Sequence, residues 1–393
     1  MQPGLPTRPL DRRRFLKTGM MGAAAFAACR FPATSQRTGI RAYVGTYTVD
    51  TASEGLYRCL FDATTGVLRI EGVTTGVRNP SFLALHPTGE VLYAVEEVDD
   101  LGTGGSGGVV AYAIDPTSGA LRETSRAESG GAHPAHISVH DGRHVLVANY
   151  TGATVAVLGL DAAGGLAGAP QVVRHEWVGP VRPGQDAPHP HSIYPVGSRV
   201  YVADLGLDRI VTYGWADNDG ALTPLPAASL SLRPGDGPRH MAFHPQLRFA
   251  YVINELSSTI TSLDVDPVAG ALRVTGVVST LPDGFAGESF CADIHIHPNG
   301  RYVYGSNRGH DSIVVAEISP DTGRLTVVQH HPTGGSWPRN FALDPSGRFL
   351  LVENQRSDTI VTLAIDPASG RLSDTGNVLH VPAPVCLLFA PTA

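Results

Sequence analysis

Residues 79–128 read "NPSFLALHPTGEVLYAVEEVDDLGTGGSGGVVAYAIDPTSGALRETSRAE". Four runs rich in apolar and β-branched residues, Asn79 to His86, Val91 to Glu97, Gly108 to Ile114 and Leu121 to Glu128, are separated by turns carrying Gly and Pro. That pattern predicts four short strands joined as hairpins. A single sheet of this size cannot bury its own faces. What it stacks on is written in the rest of the chain, because the unit returns.

Its last turn recurs as "DATTGVL" from Asp62, "DPTSGAL" from Asp115, "DAAGGLA" from Asp161, "DNDGAL" from Asp217, "DPVAGAL" from Asp266, "SPDTGRL" from Ser319 and "DPASGRL" from Asp366. Interleaved with these seven turns are seven β-rich runs with polar ends: "AYVGTY", "VLYAVEE", "HVLVANY", "VYVADL", "AYVINE", "YVYGSNR" and "LLVENQ". The period is about 50 residues, and four-stranded units repeated radially make an all-β, seven-bladed β-propeller. The first unit lacks an innermost strand, and the C-terminal "APVCLLFAP" aligns with "NPSFLALHP" of the second. The C-terminus is therefore expected to supply the missing strand and close the ring, leaving no unpaired inner edge.

Composition agrees with this fold class. Charged residues are only 17 %, and the 45 Gly and 30 Pro suit a protein of many turns. Residues 1–36 are set apart from the propeller domain of residues 37–393. Asp11-Arg12-Arg13-Arg14-Phe15-Leu16-Lys17 precedes a short run of small and apolar residues, Thr18 to Ala28. This segment resembles a twin-arginine export signal, implying the twin-arginine machinery as a partner and a periplasmic location. The run falls far short of the ~20 apolar residues that span a bilayer. Membrane attachment is expected only if Cys29 is lipidated. Lys17 is the single lysine, so Schiff-base and phosphate-loop lysine chemistry is excluded from the mature chain. The net charge of −7 includes the basic leader and argues against a nucleic-acid partner. Cys59, Cys291 and Cys386 lack metal or disulfide spacing and read as buried small hydrophobes.

Aligned on their turns, the inner strands place Phe82, His136, His191, His240, Asp293, Asn340 and Cys386 at one mouth of the channel, with Arg239 and Arg339 just before His240 and Asn340. The second strands return to the same face with Thr46-Tyr47, Glu96-Glu97, Asn149-Tyr150, Asp204-Leu205, Asn254-Glu255, Asn307-Arg308 and Asn354-Gln355. The recurrent Asn or Asp is expected to bond its own loop backbone. The residue after it varies in charge, and Glu255 and Arg308 stand out. His86, His244 and His297 read as turn residues on the opposite face, and His189 as a loop cap. His136, His191, His240 and Asp293 converge on the channel, and imidazole suits zinc or copper. No compact motif such as His-Glu-x-x-His accompanies them, so neither metal nor cofactor is expected.

The stretches "DGPRHMAFHP", "YVINELSSTI", "HIHPNGRYVYGSNRGHDSIVV", "WPRNFALDPSGRFLLVENQ", "PHPHS" and "DLGLDRI" resemble the lactonase family of seven-bladed propellers, from about Ile40 to Pro391. That family includes propeller-type 6-phosphogluconolactonases and carboxy-muconate cyclases. The resemblance implies a catalytic cluster of His191, Arg239, Glu255 and Arg308 and a small lactone or sugar acid as substrate; His136, Asp204, His240 and Arg339, aligned at the same mouth, are expected to be substrate-binding members. In that chemistry a guanidinium favours the developing oxyanion. His191 or Glu255 removes the water proton, the imidazole being the better starting candidate. Arg308 or Arg339 would clamp a phosphate or carboxylate. A serine-hydrolase reading is disfavoured. A non-catalytic binding propeller and a lactone-forming muconate cycloisomerase are the alternative readings. An export signal weakens the phosphorylated substrate, which belongs to cytoplasmic sugar metabolism.

Overall fold

The computed structural model describes residues 39–102, 104–216 and 220–391. The export segment, Cys29 and the turn residue Asp217 lie outside the described residues. Seven antiparallel sheets follow one another in chain order, the seven-bladed all-β propeller expected from the repeats. The first blade is closed as anticipated: the C-terminal strand Pro384–Phe389 pairs with Ile40–Thr46, with Ala42 opposite Phe389 and Gly45 opposite Cys386.

Two blades depart from the simple unit. In the second, the inner strand shrinks to Leu83–Leu85 and its neighbour lengthens to Val91–Leu101. Ahead of that strand Asn79 adopts a left-handed φ of 44°, its side-chain oxygen accepting from the backbone N–H groups of Thr48 and Val49 and its carbonyl from the Glu97 N–H. In the fourth blade the outer strand breaks into Leu222–Pro224 and Leu230–Ser231 around a 3-10 turn, Pro226–Ala228. Pro224 and Pro226 bring no N–H to a ladder, which suits an interrupted edge.

Apolar packing runs along the seams between blades. Seven clusters of buried side chains each join two adjacent sheets, such as Ala42, Val44, Phe61 and Leu387 with Leu351 where blades one and seven meet. The repeated turn serves these seams. Asp62, Asp115, Asp161, Asp266 and Asp366 accept backbone N–H bonds within it. Its Gly carbonyl then accepts from a buried tyrosine of the preceding blade, as in Tyr43 to Gly119 at 2.9 Å, Tyr93 to Gly164 at 2.7 Å and Tyr251 to Gly323 at 2.8 Å. On the opposite face, His86, His244 and His297 are turn residues that also reach the next blade, pairing Nε2 with the carbonyls of Gly142, Gly300 and Gly347. Cys59, Cys291 and Cys386 are buried and free. Burial pushes the thiols of Cys59 and Cys291 up to about 12, which keeps them inert.

One seam carries an uncompensated acid. Glu353 is fully buried, and neither carboxylate oxygen has a side-chain partner. Strand alternation turns it the same way as Leu351, toward blade one. Desolvation, then the nearby Asp293 charge, hold its carboxyl well above the usual 4.5. It is therefore protonated in the fold, and stability falls as pH rises from the unfolded-chain value toward the folded one, by roughly 1.4 kcal/mol per pH unit. Glu353→Gln is expected to unfold at a higher temperature than wild type at pH 8, with the gap closing at pH 4. Thermal unfolding at both pH values checks this, and an equal gap at each refutes it.

Candidate active site

A β-bulge at the head of an inner strand aims three of the residues that matter. In the fifth blade Pro238 pairs with Asn254 and His240 with Ile253, leaving Arg239 as the extra residue; in the seventh, Pro338 and Asn340 leave Arg339. The fourth blade does the same with His191, since Pro190 pairs with Asp204 and Ser192 with Ala203. Bulges re-aim a side chain out of the ladder's alternation, and here they deliver it to the channel mouth. His191 is thus the structural equivalent of Arg239 and Arg339, and Ser192 that of His240, one place away from the alignment made on the sequence. The hairpin from Ser192 to Ala203 is shorter than that from His240 to Ile253, which accounts for the slip.

The centre of the mouth is one carboxylate shared by two guanidiniums. Glu255 Oε2 lies 2.9 Å from Arg239 Nε and 2.9 Å from Arg308 Nη2. Arg239 is further fixed by donating to the Ala292 carbonyl at 2.6 Å, and Arg308 by donating to the Cys291 carbonyl at 2.9 Å. Burial pushes the Glu255 carboxyl up, but Arg308, Arg239 and Arg339 outweigh it and leave it below its usual range. Burial and the charge of Arg308 bring Arg239 down to about 10, still protonated at neutral pH.

Imidazoles and aromatic rings complete the mouth. The rings of His191 and His240 are 5.2 Å apart, and those of His136 and His240 5.6 Å. Burial first, then the Arg239 charge, hold His191 well below 6.5 and bring His240 to about 4, so both are neutral near pH 7. His191 Nδ1 is buried without a hydrogen-bond partner. Its ring meets Tyr150 edge-on at 5.3 Å, and His189 stacks on the same tyrosine at 4.4 Å. Arg339 lies over the Tyr47 ring at 5.3 Å and 3.9 Å from Glu97, which accepts from the Tyr47 hydroxyl at 2.9 Å.

The structure therefore brings together His191, Arg239, Glu255 and Arg308, with His136, His240 and Arg339 beside them. Asp204 stands apart from this group. It is fully buried, accepts the backbone N–H groups of His189 and Leu207, and pairs with His175 Nδ1 at 2.6 Å. It thus belongs with the loop-bracing residues of other blades, as when Asn307 donates to the Thr280 carbonyl. Tyr47, Glu97 and Tyr150 were not singled out from the sequence. They follow the recurrent polar residue just as Glu255 does, and that position was the available signal. Among the described residues no group of three or more His, Cys, Asp or Glu is arranged to hold a metal ion.

The mouth of this closed seven-bladed β-propeller thus sets two guanidiniums on one carboxylate beside neutral imidazoles. A family profile described as "Lactonase, 7-bladed beta-propeller" matches residues 41–389, and the chain belongs to this lactonase family. It is 39% identical over 302 residues to the 6-phosphogluconolactonase of Bacillus subtilis, covering 76% of this chain and 83% of that protein. Identity to the 6-phosphogluconolactonase of Formosa agariphila is 34% over 309 residues, covering 76% and 85%. The solved structure of the periplasmic gluconolactonase of Pseudomonas aeruginosa is similar at a TM-score of 0.84 and 34% identity, over 90% of this chain and 99% of that one.

Proposed function

We propose that this protein hydrolyses a sugar lactone at the mouth built around Glu255. The observation that carries the reading is the Arg239–Glu255–Arg308 cluster, with 2.9 Å contacts on either side, next to the neutral imidazoles of His191 and His240. Water attack on the lactone carbonyl throws negative charge onto its oxygen, and a preorganised guanidinium in a buried site stabilises that charge. Glu255, claimed by two arginines, is a poor base and acts by fixing their planes. The water proton goes to an imidazole of the mouth and is then returned to the ring oxygen as the carbon–oxygen bond breaks. Arg339 is placed to take a further polar or anionic group of the substrate.

The twin-arginine-like leader and the similarity to a periplasmic gluconolactonase support export to the periplasm, and with it an unphosphorylated aldonolactone as substrate. Opening of gluconolactone with and without a 6-phosphate, after subtraction of spontaneous opening, tests both points. The unphosphorylated compound is expected to give the higher kcat/KM. Rates no faster than spontaneous opening across a panel of lactones would sink the enzyme reading. Glu255→Gln keeps the shape but removes the charge that holds both guanidiniums, and kcat/KM is expected to fall about 10²-fold. His191→Ala is expected to be impaired as well, and near-wild-type turnover in both variants would place the chemistry elsewhere.

A further inference from the structure

Behind the mouth lies a second polar assembly that the Arg–Glu cluster does not use. Asp293 is buried on the inner strand of the sixth blade, Phe290–Ile296, and its carboxylate meets four donors. Oδ1 accepts from His240 Nδ1 at 2.7 Å and the Ile294 backbone N–H at 2.9 Å. Oδ2 accepts from His295 Nε2 at 2.8 Å and Asn340 Nδ2 at 2.5 Å. A carboxylate can only accept, so the proton of neutral His240 is on Nδ1 and its lone pair is on Nε2. Nε2 points toward Arg239 and sits 3.3 Å from Nη1, a long contact that an incoming water can replace. His240 also lines the mouth cavity together with Arg239, Glu97 and Arg339. His191 lacks such an arrangement at Nδ1, which is buried without a hydrogen-bond partner.

We propose that His240 is the general base of the hydrolysis and that Asp293 is its positioning residue, holding Nε2 toward the mouth with His295 and Asn340 bracing the carboxylate. The inference rests on the lactonase reading above. In the step, a water O–H bond breaks and the proton joins His240 Nε2. The water oxygen bonds to the carbonyl carbon, whose π pair moves to the oxygen beside Arg239 or Arg308. Collapse breaks the bond to the ring oxygen, which takes the proton back from Nε2. The product is the open hydroxy acid, which ionises in solvent. Asp293 stays ionised throughout, orienting the ring and stabilising the transient imidazolium, the role a carboxylate plays for a hydrolase histidine.

His295 gives the arrangement a second face. Its side chain is 42 % exposed, and with His240, Asp293, Phe82 and Tyr194 it lines a channel cavity of about 320 Å³. Phe82 and His240 border both this cavity and the mouth, so they form the partition between them. Among the described residues, the charged and titratable groups around His240 are Arg239 on its own strand, His136 from the third blade, His191 and Tyr194 from the fourth, Asp293 with His295 from the sixth, and, across the mouth cavity, Glu97 from the second and Arg339 from the seventh. Asp293 is the anion in contact with the ring.

Asp293→Asn is expected to lower kcat on the preferred lactone about 10²-fold or more with KM within about twofold. Losing the adjacent anion lowers the imidazole's proton affinity, so the acidic limb of the kcat/KM profile is expected to move to lower pH. His295→Gln retains a donor to Asp293 and is expected to lower kcat less than Asp293→Asn does. A tautomer readout is made on wild type itself: 15N spectra of histidine-labelled protein are expected to show His240 protonated on Nδ1, the resonance being assigned by its loss in a folded His240→Gln. Turnover above half of wild type in both Asp293→Asn and His240→Gln, an acidic limb that does not move, or an Nε2-protonated His240 would each overturn the proposal while leaving a lactonase in place. Wild-type rates equal to spontaneous opening would instead remove the reaction itself.

Discussion

Arg239→Ala is expected to lower kcat/KM by about 10²–10³-fold, the range seen when a single oxyanion donor is removed from a hydrolytic site. The change reaches further than one charge. Arg239 forms an ion pair with Glu255 and donates to the Ala292 carbonyl through Nη1, so its loss leaves a buried carboxylate with one guanidinium fewer and a main-chain acceptor unpaired. Arg308 would remain, anchored by Phe290 and Cys291, but with Glu255 free to swing toward it. Arg239→Lys is expected to rescue little, because an ammonium cannot serve a carboxylate and a carbonyl from one rigid plane. Progress curves on the preferred lactone, with near-UV circular dichroism to verify the fold, decide the matter. Activity within threefold of wild type in a folded Arg239→Ala would remove the guanidinium from the mechanism.

The second large effect lies far from the chemistry. A chain ending at residue 381 is expected to lose cooperative unfolding and to aggregate. The strand Pro384–Phe389 is the inner strand of the first blade, and Leu387 belongs to the seam with blade seven while Cys386 belongs to the seam with blade two. Without it both seams open and Ile40–Thr46 exposes a bare edge, a template for association with other chains. Native stabilities are only about 5–15 kcal/mol, and several buried side chains lost together exceed that margin. Moving the same residues ahead of Gly39, so that the strand precedes its partner, is expected to restore a single transition. Denaturant titration of both chains gives the comparison, and a truncated chain that unfolds cooperatively at the wild-type midpoint would refute the closure argument.

The ring, its seven units and its closure were legible in the sequence because they depend on period and turn chemistry, which survive without side-chain detail. So was the cluster of Arg239, Glu255 and Arg308, brought onto one face by antiparallel return of the strands. What stayed hidden depends on register. A bulge inserts a residue without altering composition, so His191 counted as the partner of His240 when it is the partner of Arg239. Asp204 looked like a site residue because its neighbours in the repeat stand beside site residues; only its bond to His175 shows where it is used. The inter-blade bonds of Tyr251 and His244 join residues about one repeat apart or more, and no local pattern announces them.

The bulges also set what can be altered. The third blade carries Ala135 and the first Val385 at the position held elsewhere by His191, Arg239 and Arg339, and both line the mouth cavity. Because a bulged residue stands outside the ladder, exchanging it leaves strand pairing intact. Two sockets are thus already cut into the rim and fitted with small, inert plugs, ready for a designer who wants a different lactone to carry a different handle.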